Sequence, residues 1–273
     1  MKTLDALQLL LLSAIWGASF LFMRIASPEF GPIPLILIRV GIAALLLAPI
    51  MLTRQNRPII RRHIVHLFVV GALNSSLPFC LLSYSTLSLE AGFTSLLNAM
   101  VPIFTAWVGV VWVHEKVSRE QGLGLFLGLT GVAVLSWGKM SFKAGGAGWA
   151  ILAGLVAALC YAISVHYYKA KFAEVPGNVV AAGSTFTATL LLLPPGLWLW
   201  PSEVPSAMAW ISAACIGVFS TALAFILFYR LVQQISALAA ASVAFLIPIF
   251  AVLWGALFLG EEITPRLIIG MLI

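Results

Sequence analysis

Apolar residues run along this chain for about twenty positions at a time, and short polar stretches separate the runs. The runs fall near residues 6–26, 33–53, 64–85, 91–113, 119–138, 147–168, 177–199, 207–229 and 237–259. About 20 apolar residues carry a helix across the hydrocarbon core of a bilayer, so each run predicts a membrane-spanning helix. A tenth begins at Thr264 and stops at Ile273, about half a span, as expected where the C-terminal end is trimmed or lies outside this sequence. The first run is preceded by only two charges, Lys2 and Asp5. It is too long for the apolar region of a signal peptide and is expected to persist in the mature protein. Residues 27–32 are read as the break within the first helix pair, 54–62 as a basic loop, 139–148 as a glycine-rich link and 201–205 as a further break.

A shift of 146 residues aligns the two halves without a gap. Pro102-Ile103-Phe104 falls on Pro248-Ile249-Phe250, Gly109 on Gly255, Glu115 on Glu261 and Gly124 on Gly270. Ser118 falls on Thr264, each placed as a helix N-cap. Upstream, Gly71 meets Gly217, Leu77 meets Leu223, Phe79 meets Phe225 and Ala91 meets Ala237. Chance matching of leucines does not align Pro, Glu and a cap at one offset. Five spans per half is an odd number, so the second half enters the membrane from the opposite side. The expected fold class is an all-α membrane protein of ten transmembrane helices, built as two inverted five-helix repeats around a central cavity. The first repeat is placed at 1–138, the link at 139–146 and the second repeat at 147–273.

Composition supports the bilayer as solvent. Of 273 residues, 62% are hydrophobic and 9% charged, against roughly 25% charged in soluble domains. The net charge of +6 does not form a basic helix or groove, so nucleic acid is not an expected partner. With the N-terminus inside, ten basic residues (Lys2, Arg54, Arg57, Arg61, Arg62, Lys116, Arg119, Lys169, Lys171 and Arg230) lie in inner segments. Four (Arg24, Lys139, Lys143 and Arg266) lie outside. That bias predicts a cytoplasmic N-terminus. Cys80, Cys160 and Cys215 all lie in apolar runs and read as packing residues. No phosphate-binding loop, zinc-binding helix or serine elbow is present, so no cofactor and no metal are expected. The only aspartate is Asp5, and all eight glutamates fall at helix ends or in loops. No carboxylate is therefore available at mid-depth as a proton or sodium handle.

The pattern Pro102-Ile103-Phe104 with Glu115-Lys116-Val117-Ser118, repeated as Pro248-Ile249-Phe250 with Glu261-Glu262-Ile263-Thr264, resembles paired EamA domains of the drug/metabolite transporter superfamily. Trp16-Gly17-Ala18-Ser19-Phe20 and Tyr84 fit the same pattern. The resemblance covers essentially the whole chain. It implies a ten-helix bundle whose cavity is lined by helices 1, 3, 4, 6, 8 and 9, and the chain looks like bacterial amino-acid exporters, including those of the YddG type. Two positions depart from internal symmetry: Ala224 stands opposite Pro78, and Gly260 opposite His114.

The candidate substrate wall consists of Trp16, Ser19 and Phe20 on helix 1, with Tyr161 and Ser164 on helix 6. Asn74, Ser75 and Pro78 come from helix 3, Asn98 from helix 4, and Ser220 and Thr221 from helix 8. Hydroxyls and amides at such depth otherwise join helices. Pro102 and Pro248 are candidate hinges, because each removes a backbone bond and frees the carbonyl four residues earlier. Glu115 and Glu261 are candidate gates or caps. Arg39, the one charge well inside a predicted helix, has two readings: an anion contact, or a residue that caps carbonyls of a neighbouring helix or reaches outward along its own stem. His166 reads as a structural histidine or a proton relay. The expected activity is export of amino acids or similar small metabolites by alternating access, without proton coupling. The rival classes are a membrane-embedded enzyme and a small-molecule sensor. The expected partners are a small-molecule substrate and membrane lipid.

Overall fold

The computed structural model describes residues 3–114, 119–136, 141–142, 146–234 and 243–272. Among these residues the chain is nearly all helical, with no strand. In order, the helices are α1 (Thr3–Phe30), α2 (Pro32–Leu52), α3 (Asn56–Gly71), α4 (Leu77–Ser88), α5 (Ala91–Asn98) and α6 (Val101–Val113). They continue as α7 (Arg119–Ser136), α8 (Gly148–Lys171), α9 (Gly177–Trp198), α10 (Ala207–Gly217), α11 (Ala224–Gln234), α12 (Val243–Leu259) and α13 (Pro265–Leu272). Among the described residues, seven continuous segments are long and apolar enough to cross a bilayer, and Gly122–Val134 and Val243–Leu259 are shorter apolar helices.

Three expected boundaries move. Helix α1 runs through Pro28 to Phe30, and only Gly31, at φ 76°, separates it from α2. Such a φ is open to glycine without steric cost. The basic stretch 54–62, read as a loop, is mostly the first turns of α3; the charged heads of Arg57, Arg61 and Arg62 sit where helical backbone bonds cost nothing in solvent. The fourth run is two helices, α5 and α6, broken at Ala99 and Met100, with Pro102 in the first turn of α6. Proline has no N–H to donate, so a first turn accommodates it. Pro248, its repeat mate, lies inside continuous α12. Of the link 139–146, only Ser141, Phe142 and Gly146 fall among the described residues.

The third helix of each half is interrupted at the same place. A π-helical turn spans Ala72–Ser76 between α3 and α4, and a second spans Val218–Leu223 between α10 and α11. Ala72 and Val218 are 146 residues apart. A π turn inserts an extra residue into the helical ladder and often marks a functional position. Pro78 and Ala224 both follow these turns, so their difference leaves the backbone course unchanged. The other departure is equally conservative. His114 (φ 58°) and Gly260 (φ 66°) both take the left-handed conformation just past α6 and α12, the usual way to end a helix.

Packing follows an exchange of halves. Helix α1 packs on α10 and α12, as α8 packs on α4 and α6; α2 packs on α10, as α9 packs on α3; α2 meets α9, and α5 meets α12. Each pairing is repeated with the halves swapped, or maps onto itself, as a two-repeat bundle with one pseudo-two-fold axis requires. The largest core gathers Phe20, Met23, Phe30, Leu35, Ile36, Phe79 and Leu82 from the first half with Ala157, Ala188, Ile216 and Ala251 from the second.

Candidate functional site

The polar centre of that core is Arg39. It projects from α2 and is 3% exposed, so it does not reach outward along its stem. Its Nε donates to Thr221 Oγ1 at 2.9 Å, and its Nη1 donates to Ser19 Oγ at 3.4 Å and Met23 Sδ at 3.8 Å. Its guanidinium carbon lies 3.5 Å from the centroid of the Phe79 ring, close enough for attraction to the ring face. Tyr161 meets Phe79 edge-on at 6.3 Å. Residues of α1, α2, α4, α8 and the second π turn thus converge on one group. Ser19, Tyr161 and Thr221 were expected as wall residues, and Phe20 shares their core. Arg39 and Phe79 were not assigned to the site. Helix 2 was placed outside the cavity-lining set, but a lone charge in an apolar run was the signal available in the sequence.

The second π turn explains how Thr221 comes to face Arg39. Thr221 Oγ1 also donates to the Ile216 carbonyl five residues back at 3.0 Å, filling the widened turn. Beside it, Ser220 and helix α1 bond reciprocally: Trp16 Nε1 donates to the Ser220 carbonyl at 3.2 Å, and Ser220 Oγ donates to the Ile15 carbonyl at 3.0 Å. Trp16 stands in a separate cluster with Leu9, Leu12, Ala224 and Leu231, and its ring meets Phe228 at 5.5 Å. It ties α1 to the second half, one turn before Ser19.

The first π turn carries Asn74 and Ser75. Ser75 is buried, and its Oγ has no protein partner; Asn98 Oδ1, at the break in the fourth run, also lacks one. Ser75 lies one turn before Phe79 on α4. Pro78 and Ser164 are buried, while Asn74, Asn98 and Tyr161 are half-buried. His166 bridges halves rather than facing the Arg39 group: its Nε2 donates to the Thr105 carbonyl of α6 at 2.9 Å.

At the end of α1 remote from the N-terminus, two carboxylates hold helix ends together. Glu261 accepts from the Ala91 amide at 2.9 and 3.0 Å, joining the end of α12 to the start of α5. A carboxylate at a helix N-terminus complements the helix dipole. Burial raises the Glu261 pKa above the usual carboxylate value; the Ala91 and Gly92 amides pull it down, Glu90 pushes it up and Arg24 pulls it down. Glu29 accepts from the Ser206 amide at 2.6 Å and its hydroxyl at 2.7 Å, joining α1 to α10, while Ser206 Oγ caps Ala209 at 3.2 Å. Arg24 donates to the Thr86 and Leu87 carbonyls at the end of α4. Glu115, the repeat mate of Glu261, lies outside the described residues.

The profile of the EamA-like transporter family matches residues 4–137 and 148–273. An uncharacterized transporter of Bacillus subtilis, YvbV, is 28% identical over 100% of this chain and 89% of its own length. A probable terminal-alkyne amino-acid exporter of Streptantibioticus cattleyicolor is 25% identical over 99% of this chain and 91% of its own. An uncharacterized inner membrane transporter of Escherichia coli, YedA, is 22% identical over 92% and 81%. One crystal structure superposes with a TM-score of 0.66 over 99% of this chain and 93% of that one at 16% identity, a likeness of fold alone.

Proposed function

Because this chain belongs to the EamA-like transporter family, with two EamA domains, we propose that it exports amino acids or similar small metabolites by alternating access. It is a multi-pass membrane protein, and we place it in the bacterial inner membrane with a cytoplasmic N-terminus. The family and the names of its relatives point to transport rather than catalysis. The observation that carries the reading is the convergence of Arg39, Ser19, Phe79, Tyr161 and Thr221 at the seam between the halves. A transporter built from inverted repeats binds its solute at such a seam, and rocking of one repeat against the other exposes it to alternate sides. In this conformation the group is closed off, and the Glu261 and Glu29 contacts hold one end of the bundle shut.

Flux is proposed to be facilitative. Arg39 cannot deprotonate in practice, and His166 is engaged with a backbone carbonyl. Reconstituted protein should take up labelled amino acids down their gradient, with little response to an imposed pH difference. Accumulation against the solute gradient, driven by a pH step, contradicts the facilitative reading; failure of every amino acid to move contradicts the substrate class.

A further inference from the structure

We propose that Arg39 is the anion-binding group of the transport path, so that the solutes carried by this chain bear a carboxylate. This deepens the transporter reading and rests on it. Arg39 is the only charge in the span Pro32–Leu52. No carboxylate occurs in α2, α4, α8 or the second π turn, and those in α1 stand at its two ends, Asp5 and Glu29. Glu29 is bonded to Ser206 and Glu261 to Ala91. The charge is therefore buried among neutral groups. A buried ion without a counter-ion is strongly disfavoured, so its retention calls for a role that neutral side chains do not fill.

The geometry points to an anion in the plane of the guanidinium. Phe79 covers one face. Of the five N–H donors of arginine, one makes a bond of ordinary length, to Thr221, and the Nη1 contacts to Ser19 and Met23 are long. A guanidinium with a single bond of ordinary length matches the two parallel bonds of an arginine–carboxylate pair. The alternative structural role, capping of helix carbonyls, is not what the side chain does, since its bonds go to side chains. Nor does the fold require a charge here twice: the repeat mate of Arg39 is Thr185, whose hydroxyl bonds back to Ala181 in its own helix at 2.6 Å. The charge belongs to one asymmetric site, with Phe20, Phe79 and Tyr161 beside it as apolar surface for the rest of the solute.

The test is solute discrimination by the full chain in liposomes, with flux into protein-free liposomes subtracted. Labelled amino acids, other labelled carboxylic acids and their matched carboxamides are supplied at equal concentration. Native protein should favour each carboxylate over its carboxamide at least about thirtyfold, the scale on which loss of one partner from a buried charge pair acts. In Arg39→Gln that ratio should collapse to within about threefold, the residue of a neutral hydrogen bond. Because both solutes are measured in one preparation, lost folded protein cancels from the ratio. Where Arg39→Gln does not fold, Arg39→Lys decides: it should keep the preference but raise KM for the carboxylate, because a point charge replaces the fork. Equal flux of carboxylate and carboxamide in native protein overturns the proposal, as does an unchanged ratio in Arg39→Gln or an unchanged KM in Arg39→Lys. Amino-acid flux with an unchanged ratio removes the role of Arg39 and leaves amino-acid export standing. Flux of other carboxylic acids alone, with a collapsing ratio, does the reverse.

Discussion

Thr221 and Ser75 stand 146 residues apart, each within the π-helical turn of its half, and only Thr221 is engaged by a charge. Ser75 is as deeply buried but has no partner for its hydroxyl. The pseudo-symmetry therefore extends to the backbone and to the polar pairs Asn74-Ser75 and Ser220-Thr221. It ends at Arg39 and Thr185.

The two hydroxyls should respond differently to removal. Thr221→Val leaves a buried N–H of Arg39 without its acceptor and should lower stability by roughly 1–3 kcal/mol. Ser75→Ala removes a buried hydroxyl that has no partner and should not lower stability. Denaturation of both variants in mixed micelles gives the comparison, and equal losses would contradict the asymmetry.

Gly17→Ala should loosen the seam between α1 and α12. A Cβ there would stand 2.7 Å from Phe250 Cβ and 3.0 Å from the Ala251 nitrogen, and backbone cannot step aside as a flexible side chain can. Overpacking of this kind costs about 1–3 kcal/mol. A thermal melt of the purified variant is expected to show a clear fall in Tm.

Pro102→Ala and Pro248→Ala should slow flux more than they reduce folded yield. The first lets α5 and α6 join across Ala99 and Met100; the second restores a backbone bond to the Ala244 carbonyl in α12. Both stiffen elements proposed to flex during exchange. Native rates in both variants would leave the prolines as tolerated kinks.

The closed end at which Glu261 is buried should be favoured in acid. Burial holds its carboxyl pKa above the ordinary value, against the pull of the Ala91 and Gly92 amides, and the pKa returns to the ordinary value when this end opens to water. Proton binding therefore favours the buried, closed arrangement. This contribution is fully present below the ordinary value and is lost as pH rises through the raised one. A cysteine at buried Leu89 should label faster as pH rises, once corrected by a reference cysteine at exposed Val204. Glu261→Gln, which mimics the neutral acid, should flatten that dependence; an unchanged slope would exclude Glu261 as its source.

Orientation is testable separately. In a background lacking Cys80, Cys160 and Cys215, a cysteine at position 145 should react with an impermeant thiol reagent in intact cells and one at position 57 should not. The reverse pattern would invert the proposed topology.

The sequence by itself determined the membrane class, most span positions and the internal repeat, because these depend on properties summed along the chain. Twenty apolar residues suffice for a span wherever they occur, and a shared offset of 146 shows in Pro, Gly and Glu without any contact being known. It also flagged Ser19, Tyr161 and Thr221 as polar or aromatic groups at depth. Only the tertiary structure decided what those groups meet. Whether Arg39 reaches water, a carbonyl or another helix's hydroxyl depends on which faces of α1, α4, α8 and the second π turn pack around it, and residues more than a hundred positions apart set that packing. The π turns were equally illegible, since no local propensity separates them from α-helix and long-range packing stabilises the extra residue. So was the break before Pro102 against the continuous helix through Pro248: the same motif in both halves, resolved differently by its neighbours.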